Sequence, residues 1–313
     1  MKTPDRIVIA TRESALALWQ ARHIEQRLRE LLPSIEIALL GMTTEGDRNL
    51  ATSLAKIGGK GLFVKELELA LADGRADIAV HSMKDVPMHL ADDFVIAAVT
   101  AREDPRDAFL SNRFPDLASL PPGSRVGTSS LRRESQLRAR YPHLQVLPLR
   151  GNVQTRLRKL DEGQYAAVIL AAAGLKRLGL EARITRVLEP EESLPAVGQG
   201  ALGIECRKDR KDLISLLAQL EDADTRCCVD AERALSRSLA GSCNVPLGGF
   251  AQLCGDQLRL RGFVASPDGL HMLSDELVAP RTDGADALGK NLGQRLLDRG
   301  AREILDSLEG AGA

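Results

Sequence analysis

Three polar segments of this chain come directly after short apolar runs that are typical of strands. They are Thr-Arg-Glu-Ser at 11–14, Ser-Met-Lys-Asp at 82–85 and Gly-Thr-Ser-Ser-Leu-Arg-Arg at 127–133. Open α/β sheets bind ligands at the carboxyl ends of their strands, where helix N-termini offer backbone N–H groups to anions. One such segment is usually only a helix cap. Three at equivalent strand ends favour an anion-binding site.

The basic residues are concentrated in one stretch. Residues 125–159 contain nine arginines or lysines and a single acid, Glu134, although the whole chain has a net charge of −1. Four of the arginines lie at or just past predicted strand ends: Arg132, Arg133, Arg150 and Arg156. A guanidinium group there can bind a carboxylate through two parallel hydrogen bonds. Arg138, Arg140 and Arg158 instead fit a solvated helix face.

RNA and nucleotides are the alternative partners of such a stretch. The chain has one Trp, two Tyr and six Phe for base stacking, and only Tyr141 and Tyr165 lie within or near the stretch. Neither GxxxxGKS/T nor a GxGxxG after a strand is present. A small polyanion is therefore favoured. Binding of RNA would instead show a steep dependence on salt.

An acid and a glycine-rich loop add chemistry of other kinds. Asp85 directly follows a predicted strand and reads either as a turn residue or as a charge partner for a cationic ligand. The loop at 56–61 contains Gly58-Gly59-Lys60-Gly61 and begins with Lys56. Glycines in such a run usually mark a mobile loop, and the two lysines favour a cationic lid over an acidic ligand.

Cys243 is the cysteine best placed for chemistry. It lies in the loop Gly241-Ser242-Cys243-Asn244-Val245-Pro246, a tight turn in which a thiol is accessible and can be activated. The five cysteines form no CxxC pair and have irregular spacings, which argues against a disulfide framework and a zinc site. Any chemical cysteine must act alone.

The elements that must position these residues follow from the hydrophobic periodicity. Ile7–Ala10 is a β-prone run, Ser14 can cap a helix from Ala15 to about Leu31, and Ile35–Leu40 reads as the next strand. A strand, a helix and a strand in this order favour a β-α-β unit with a parallel sheet. The same alternation recurs in a helix at Leu62–Ala72, a strand at Asp77–His81 and strands around Val126, Val146–Leu149 and Ala167–Leu170.

The pattern changes near residue 200. The segment Leu194–Gly200 is rich in Pro and Gly, which predicts a hinge or boundary. A helix is predicted from about Ala223 to Leu239. Residues 257–264 then alternate between polar and apolar types, which favours an antiparallel sheet with one solvated face. Helical segments from Ala285 to Leu308 would cover its other face.

Composition limits the class of protein. The chain has 313 residues, of which 44% are hydrophobic and 27% charged, as in soluble globular proteins. Its longest apolar run is the eight residues Ala166–Ala173, whereas a membrane-spanning helix needs about 20. The N-terminal residues show no apolar signal core and no transit-like extension. We therefore expect a cytoplasmic protein.

Six motifs, in order, resemble those of the porphobilinogen deaminase (hydroxymethylbilane synthase) family. They are Ala10–Ala17, Lys56–Phe63, His81–Pro87, Gly127–Arg133, Leu149–Asn152 and the Cys243 loop. The resemblance covers essentially the whole chain. One position departs from the family pattern, because Ser242 precedes the cysteine where the family usually has Gly.

The resemblance implies an α/β fold of three domains. Two doubly wound, periplasmic-binding-protein-like domains would comprise residues 1–100 with 201–218, and residues 101–200. A smaller α+β domain with an antiparallel sheet would comprise residues 219–313 and carry the Cys243 loop. The family also implies a monomer, with the site in the cleft between the first two domains.

The resemblance further implies a dipyrromethane cofactor joined by a thioether to Cys243. The enzyme condenses four porphobilinogen molecules head to tail, loses one ammonia each time and releases linear hydroxymethylbilane. Asp85 would be catalytic, because its carboxylate would stabilise the cation left by ammonia and could move protons at the amine and the coupled carbon.

The family motifs also assign the binding residues of this chain. Cofactor contacts would come from Ser82, Lys84, Asp85, Thr128, Ser129, Ser130, Arg132, Arg133 and Gly151. Substrate contacts would come from Arg12, Ser14, Lys56, Lys60, Phe63, Arg150, Arg156, Arg177 and Gln199. No metal, nucleic acid or membrane is expected. A solute-binding or effector-binding module with the same two-lobed pattern remains an alternative, and it would need no cysteine and form no covalent adduct.

Overall fold

A computed structural model describes residues 4–44, 64–239 and 245–310 of the chain. They form two compact units. The first comprises Met1–Glu103 and Ala201–Arg226, and the second comprises Asp104–Gly200 and Cys227–Ala313. The finer division into three domains stays a prediction.

The first unit is built on a mixed five-stranded sheet. Its strands, in spatial order, are β2 (Glu36–Met42), β1 (Arg6–Arg12), β3 (Ile78–Ser82), β10 (Leu202–Arg207) and β4 (Phe94–Val99). β1 is parallel to β2 and β3, as the β-α-β pattern predicts. β10 is antiparallel to both of its neighbours. The sheet is therefore not wholly parallel.

Helices cover this sheet on both faces. α1 (Ala15–Leu31) begins at Ser14, whose Oγ accepts a hydrogen bond from the N–H of Ala17 at 3.3 Å, so the predicted cap is confirmed. Ile24 and Leu28 of α1 are fully buried against the core of β1 and β3. On the other face, α2 (Lys65–Ala72) packs Leu67, Ala70 and Leu71 against Ala10 and Ala79. α6 (Lys211–Leu217) adds Leu213 and Leu217 to the α1 side.

The second unit contains another five-stranded sheet. Its spatial order is β7 (Gln145–Leu147), β6 (Arg125–Gly127), β8 (Ala167–Ala171), β5 (Asp107–Leu110) and β9 (Arg186–Leu188). β6 is parallel to β7 and β8, while β5 is antiparallel to β8 and β9. The helices of this region are α3 (Leu131–Arg140), α4 (Val153–Asp161) and α5 (Ala172–Arg177).

The C-terminal part of the chain forms the predicted antiparallel sheet. It follows α7 (Ala223–Ser238) and consists of β11 (Leu247–Cys254), β12 (Gln257–Ala265) and β13 (Met272–Pro280) in that order. α8 (Ala285–Leu296) packs so closely on α7 that a Cβ atom on Gly289 would clash with the carbonyl oxygen of Ala231. A kink at Gly300, where φ is +98°, separates α8 from α9 (Arg302–Gly310). The predicted fold class, α/β with a smaller antiparallel sheet, is confirmed.

Candidate active site

The first unit has an open pocket of about 450 Å³ at the ends of β1 and β3. Four of its lining residues are predicted site residues: Arg12, Ser14, Ser82 and Asp85. Gln20 and His81 also line it. The carboxyl ends of the parallel strands β1 and β3 meet at one edge of the sheet, which brings together motifs about 70 residues apart in the sequence.

Short local structures hold these pocket residues. Gln20 of α1 donates a hydrogen bond from Nε2 to the Oγ of Ser82 at 2.9 Å, which links the first helix to the end of β3. A single 3₁₀ turn, Met83–Asp85, follows β3. The Met83 side chain is buried and its N–H donates to the carbonyl of Ala201 at 3.0 Å. Because Met83 is anchored, the turn presents Asp85 to solvent at the pocket.

Lys84 belongs to the same turn as Asp85 and is half-buried. Four other predicted site residues are not described by the structure. Lys56, Lys60, Phe63 and Cys243 lie outside the described residues, and their assignments stay predictions.

Asp107 is the centre of the charged cluster in the second unit. Its carboxylate is fully buried at the start of β5 and accepts hydrogen bonds from both guanidinium groups of the Arg132-Arg133 pair. Ser193 Oγ donates to it at 2.7 Å and Gln199 Nε2 at 2.9 Å. Burial disfavours the charged carboxylate, but the two guanidinium groups outweigh this cost and hold the pKa of Asp107 well below its usual range.

The cluster keeps an excess of positive charge. Two buried guanidinium groups face one carboxylate, and the Nε atom of Arg132 has no hydrogen-bond partner within the described part of the chain. Burial, with the neighbouring charge of Arg133, lowers the pKa of Arg132 although Asp107 opposes the shift. A further anion would compensate this unbalanced cation.

Sequence reasoning missed Asp107. The available signal was an acid at the start of the otherwise apolar strand Asp-Ala-Phe-Leu, in a chain that also has a strongly cationic stretch. An acid in a fully buried strand requires a cationic partner. The periodicity of the sequence does not name that partner.

The hydroxyl-rich turn before α3 is tied to the strand beside it. Ser129 Oγ donates to the carbonyl of Leu149 at 2.9 Å and accepts from the N–H of Leu149 at 3.0 Å. Thr128 is buried and its Oγ1 accepts from the N–H of Ser130. Ser130 occupies the N-cap position of α3, yet its side chain makes no capping hydrogen bond. Its hydroxyl group is therefore not used by the helix.

The turn between β7 and α4 holds two half-buried arginines, Arg150 and Arg156. Gly151 has φ of +110°, and a Cβ there would come within 2.6 Å of Thr155 Cγ2, so this position requires glycine. Asn152 caps α4 through a 2.9 Å hydrogen bond from the N–H of Thr155. Arg156 Nε donates to the carbonyl of Gly151 at 2.8 Å. Among the residues that the structure describes, none pairs with the guanidinium of Arg150.

Arg177 and Gln199 make structural contacts. Arg177 is buried and donates to the carbonyl of Gly200 at 2.6 Å. Gln199 donates to the carbonyl of Pro105 at 2.6 Å as well as to Asp107. Both side chains therefore hold the 194–200 segment in place, and their predicted contacts with substrate stay predictions.

Comparison with known proteins decides the family. Residues 7–215 match the family model described as "Porphobilinogen deaminase, dipyromethane cofactor binding domain", and residues 226–298 match "Porphobilinogen deaminase, C-terminal domain". The chain belongs to the porphobilinogen deaminase family. The resemblance predicted from six motifs is thus confirmed.

Relatives of the same name match nearly the whole chain. The porphobilinogen deaminase of Nitrosomonas europaea is 65% identical over 98% of this chain and 100% of its own length. Those of Methylobacillus flagellatus and Laribacter hongkongensis are 62% and 60% identical, each over 98% of this chain and 99% of their own length. Among solved structures, the Methionine Binding Protein MetQ has a TM-score of 0.46 and 16% identity over 71% of this chain and 92% of MetQ.

The second unit fits the cofactor of the porphobilinogen deaminase family. A dipyrromethane carries carboxylates, and the Asp107 cluster offers excess positive charge with a buried Nε on Arg132 that no described residue engages. The hydroxyl of Ser130 and the guanidinium of Arg150, which belong to the same cationic stretch, can also donate hydrogen bonds to carboxylates.

Within the described ranges, no helix is long and apolar enough to cross a membrane.

Asp107→Asn tests whether the charge of this cluster supports the fold. We expect the free energy of unfolding to fall by about 3–5 kcal/mol, because the change leaves two buried guanidinium groups without a counterion. The pKa of Asp107 is lower in the folded state, so its stabilisation is present above the ordinary Asp pKa and is lost as pH falls toward the folded-state value. Urea unfolding at neutral and acidic pH measures both effects.

The matched control is Asp161→Asn. Asp161 pairs with Arg183 at the surface, with half of its side chain exposed, and its loss should cost at most about 1 kcal/mol. Equal destabilisation by the two variants would contradict the importance of the buried cluster.

Proposed function

We propose that this chain condenses four porphobilinogen molecules head to tail, with loss of ammonia, to give hydroxymethylbilane for tetrapyrrole biosynthesis. The observation that carries the proposal is the match of both family domains across residues 7–215 and 226–298. The chemistry of the described residues agrees with it, because porphobilinogen brings an acetate and a propionate and the second unit is rich in cationic donors.

Cys243 is the proposed attachment point of the dipyrromethane, through a thioether. When bound, this group supplies the primer to which the first pyrrole is added. The residues assigned to this cofactor are Ser82, Lys84, Asp85, Thr128, Ser129, Ser130, Arg132, Arg133 and Gly151, and most of them offer cationic or hydroxyl groups to its carboxylates. The excess charge around Asp107 supports the two arginines among them. Gly151 contributes backbone in a conformation that excludes a side chain.

Asp85 is the proposed catalytic residue. Loss of ammonia from porphobilinogen leaves a cation, and a carboxylate beside the pyrrole N–H stabilises it. The exposed position of Asp85 at the mouth of the pocket supports this assignment, since a substrate can reach it. Removing one preorganised group of this kind usually costs about 3–4 kcal/mol of transition-state stabilisation.

The proposed substrate-binding set consists mainly of arginines and lysines. Arg12 lines the pocket with Ser14, and Arg150 has a guanidinium that no described residue engages. Arg156, Lys56, Lys60, Phe63, Arg177 and Gln199 complete the proposed set. A guanidinium already in position can take a carboxylate in two parallel hydrogen bonds.

Turnover of porphobilinogen tests the function directly. The purified protein should release one ammonia for each porphobilinogen consumed and one hydroxymethylbilane for every four. A solute-binding module would bind porphobilinogen without releasing ammonia. An RNA-binding protein would show RNA affinity that falls steeply with salt and no turnover.

We also propose a cytoplasmic monomer. Light scattering of the purified protein should give a mass near that of one 33.8 kDa chain. A concentration-dependent dimer would contradict this part of the proposal.

Arg150→Leu is expected to impair elongation. The change removes a cationic donor that no described residue uses, so the fold should persist while substrate carboxylates lose a partner. Loss of a charge-assisted hydrogen bond of about 1.5–3 kcal/mol would slow the affected addition by about tenfold or more. Trapped intermediates with one to four added pyrroles measure each step.

The control for Arg150 is Arg158→Leu. Arg158 is exposed on α4 and lies 3.9 Å from Glu162, a weak surface pair. This variant should elongate normally. Unchanged rates for every addition by Arg150→Leu would remove Arg150 from the binding set.

A further inference from the structure

Two buried titratable side chains of the first unit have no part in the chemistry described so far. His81 on β3 and Glu205 on β10 are 6% and 0% exposed, and 2.7 Å separates His81 Nε2 from Glu205 Oε2. Such groups are rarely buried, because leaving water costs free energy that only a well-placed partner offsets. The position of the pair suggests a use for it.

The pair lies on one face of the sheet, next to the pocket. In the antiparallel pairing of β3 and β10, Glu205 lies opposite Ala79, two residues before His81. Residues two apart on a strand point to the same face, and Ala79 packs against Leu67 of α2. His81 and Glu205 therefore lie between the sheet and α2. His81 also lines the pocket that contains Asp85.

The hydrogen bond determines which nitrogen of His81 can take a proton. With Glu205 Oε2 as the acceptor of this hydrogen bond, Nε2 carries the hydrogen and donates it. Nδ1 then has a free electron pair. None of the residues described by the structure hydrogen-bonds to Nδ1. One nitrogen held by a carboxylate and the other free is the arrangement that makes histidine a general base.

Other titratable groups surround the pair. Glu68 of α2 faces the pair; burial and the negative charge of Glu205 raise the pKa of Glu68, and His81 opposes this shift. The Oε1 atom of Glu205 is buried and has no hydrogen-bond partner in residues 4–44, 64–239 and 245–310. A cationic His81 would give this carboxylate a counterion. Arg12 and Asp85 are the other charged groups of the pocket.

A second proton acceptor would keep Asp85 ionised throughout the reaction. A carboxylate stabilises a neighbouring cation only while it is ionised, and accepting a proton from the coupled carbon neutralises it. Four additions follow one another at this site. If Asp85 kept the proton of one addition, it would be neutral when the next cation forms.

We propose that His81 accepts at Nδ1 the proton released when each carbon–carbon bond forms, and that Glu205 is the positioning residue that orients the ring and balances its charge. This inference rests on the proposed function. The C–H bond of the newly joined pyrrole carbon breaks, and its electron pair restores the aromatic ring. The proton forms an N–H bond on His81 and is then released to water, which together with the ammonia lost before bond formation amounts to one ammonium ion per addition.

His81→Gln is the first test, because glutamine can still donate a hydrogen bond to Glu205 but cannot serve as the base. We expect kcat to fall about 100-fold, with KM changed by less than about threefold. The mass of the attached cofactor and the circular dichroism spectrum should not change. His143→Gln, the same change at an exposed histidine of the second unit, should leave kcat unaltered. A fall of less than about tenfold in His81→Gln would mean that His81 only joins two strands and would overturn the proposal.

Chemical rescue separates proton acceptance from a structural contribution. His81→Ala should recover about tenfold or more in kcat when free imidazole is added, and the recovery should follow the basicity of substituted imidazoles. Glu205→Gln keeps an acceptor oxygen without the charge and should lower kcat at unchanged KM. No recovery with imidazole would overturn the assignment of His81.

A measurement on the unaltered protein covers the case in which these variants do not fold. In protein with ¹⁵N-labelled histidine, the ring signals of the five histidines report their tautomers, and single Gln variants at the other four assign which signal belongs to His81. The His81 ring should carry its hydrogen on Nε2, with Nδ1 bare, and a hydrogen on Nδ1 would overturn the proposal. If the unaltered protein releases no ammonia from porphobilinogen, the proposed function fails; if it does and His81→Gln is equally active, only this inference fails.

Discussion

A Cys243→Ser variant is expected to carry no covalent cofactor and to make no hydroxymethylbilane. If the Cys243 thiol is consumed in a thioether, the unaltered protein should be heavier than its 33.8 kDa chain by two pyrrole units. Exhaustive alkylation under denaturing conditions should label only four of the five cysteines, and dithiothreitol should not restore the fifth, because a thioether is not reducible. Intact mass spectrometry measures both quantities.

The same variant should be less stable than the holoprotein. A ligand that binds only the folded state stabilises it by about 4 kcal/mol at a thousand times its dissociation constant, and a covalent one can contribute more. Without the cofactor carboxylates, the excess positive charge around Arg132 and Arg133 also lacks its anion. Faster proteolysis and a lower unfolding midpoint in urea should therefore accompany the loss of the cofactor.

Cys254→Ser is the matched control, since Cys254 is an exposed, free thiol on β11. This variant should keep the added mass, the stability and the activity. Five alkylatable cysteines at the unmodified chain mass, in protein that still makes hydroxymethylbilane, would sink the covalent assignment.

Asp85→Asn is expected to lower kcat by about 100-fold or more while the protein stays folded. The change is nearly isosteric, but it removes the charge that faces the cation left by ammonia. Because Asp85 is exposed on a turn whose anchor is the buried Met83, the fold does not depend on this carboxylate. Steady-state formation of hydroxymethylbilane gives the effect on kcat, and thermal unfolding gives the effect on stability.

Asp92→Asn serves as the control for Asp85, because Asp92 is an exposed acid of the same unit outside the pocket. It should be fully active. Activity of Asp85→Asn within about tenfold of the unaltered protein would remove Asp85 from the catalytic assignment.

Local elements of this protein could be predicted from its sequence. The helix from Ala15 to Leu31, its cap at Ser14 and the alternating strand at 257–264 all occur as expected. These features depend on residues within a few positions of one another, through backbone hydrogen bonds and a repeating apolar face. For the same reason the polar segments 11–14 and 82–85 could be placed at strand ends from the sequence, and residues of both line one pocket.

Long-range partners could not be predicted in this way. Arg132 and Arg133 are buried on Asp107, which is 25 and 26 residues away in the sequence. His81 and Glu205 meet across 124 residues, because β10 returns to the first sheet between β3 and β4. The antiparallel direction of β10 likewise leaves no mark in its own apolar run.

The sequence by itself therefore determined the family, the local elements and the residue types of the site. The tertiary structure alone decided which charges are buried and which group balances each of them. The physical reason is that the neighbouring residues in the sequence can be the same whether solvent or another segment contacts an ionisable side chain. The free energy of its charged form, however, depends on that contact. Asp107 and Glu205 show this directly, since each begins or lies within an apolar strand and acquires its chemistry only from a distant partner.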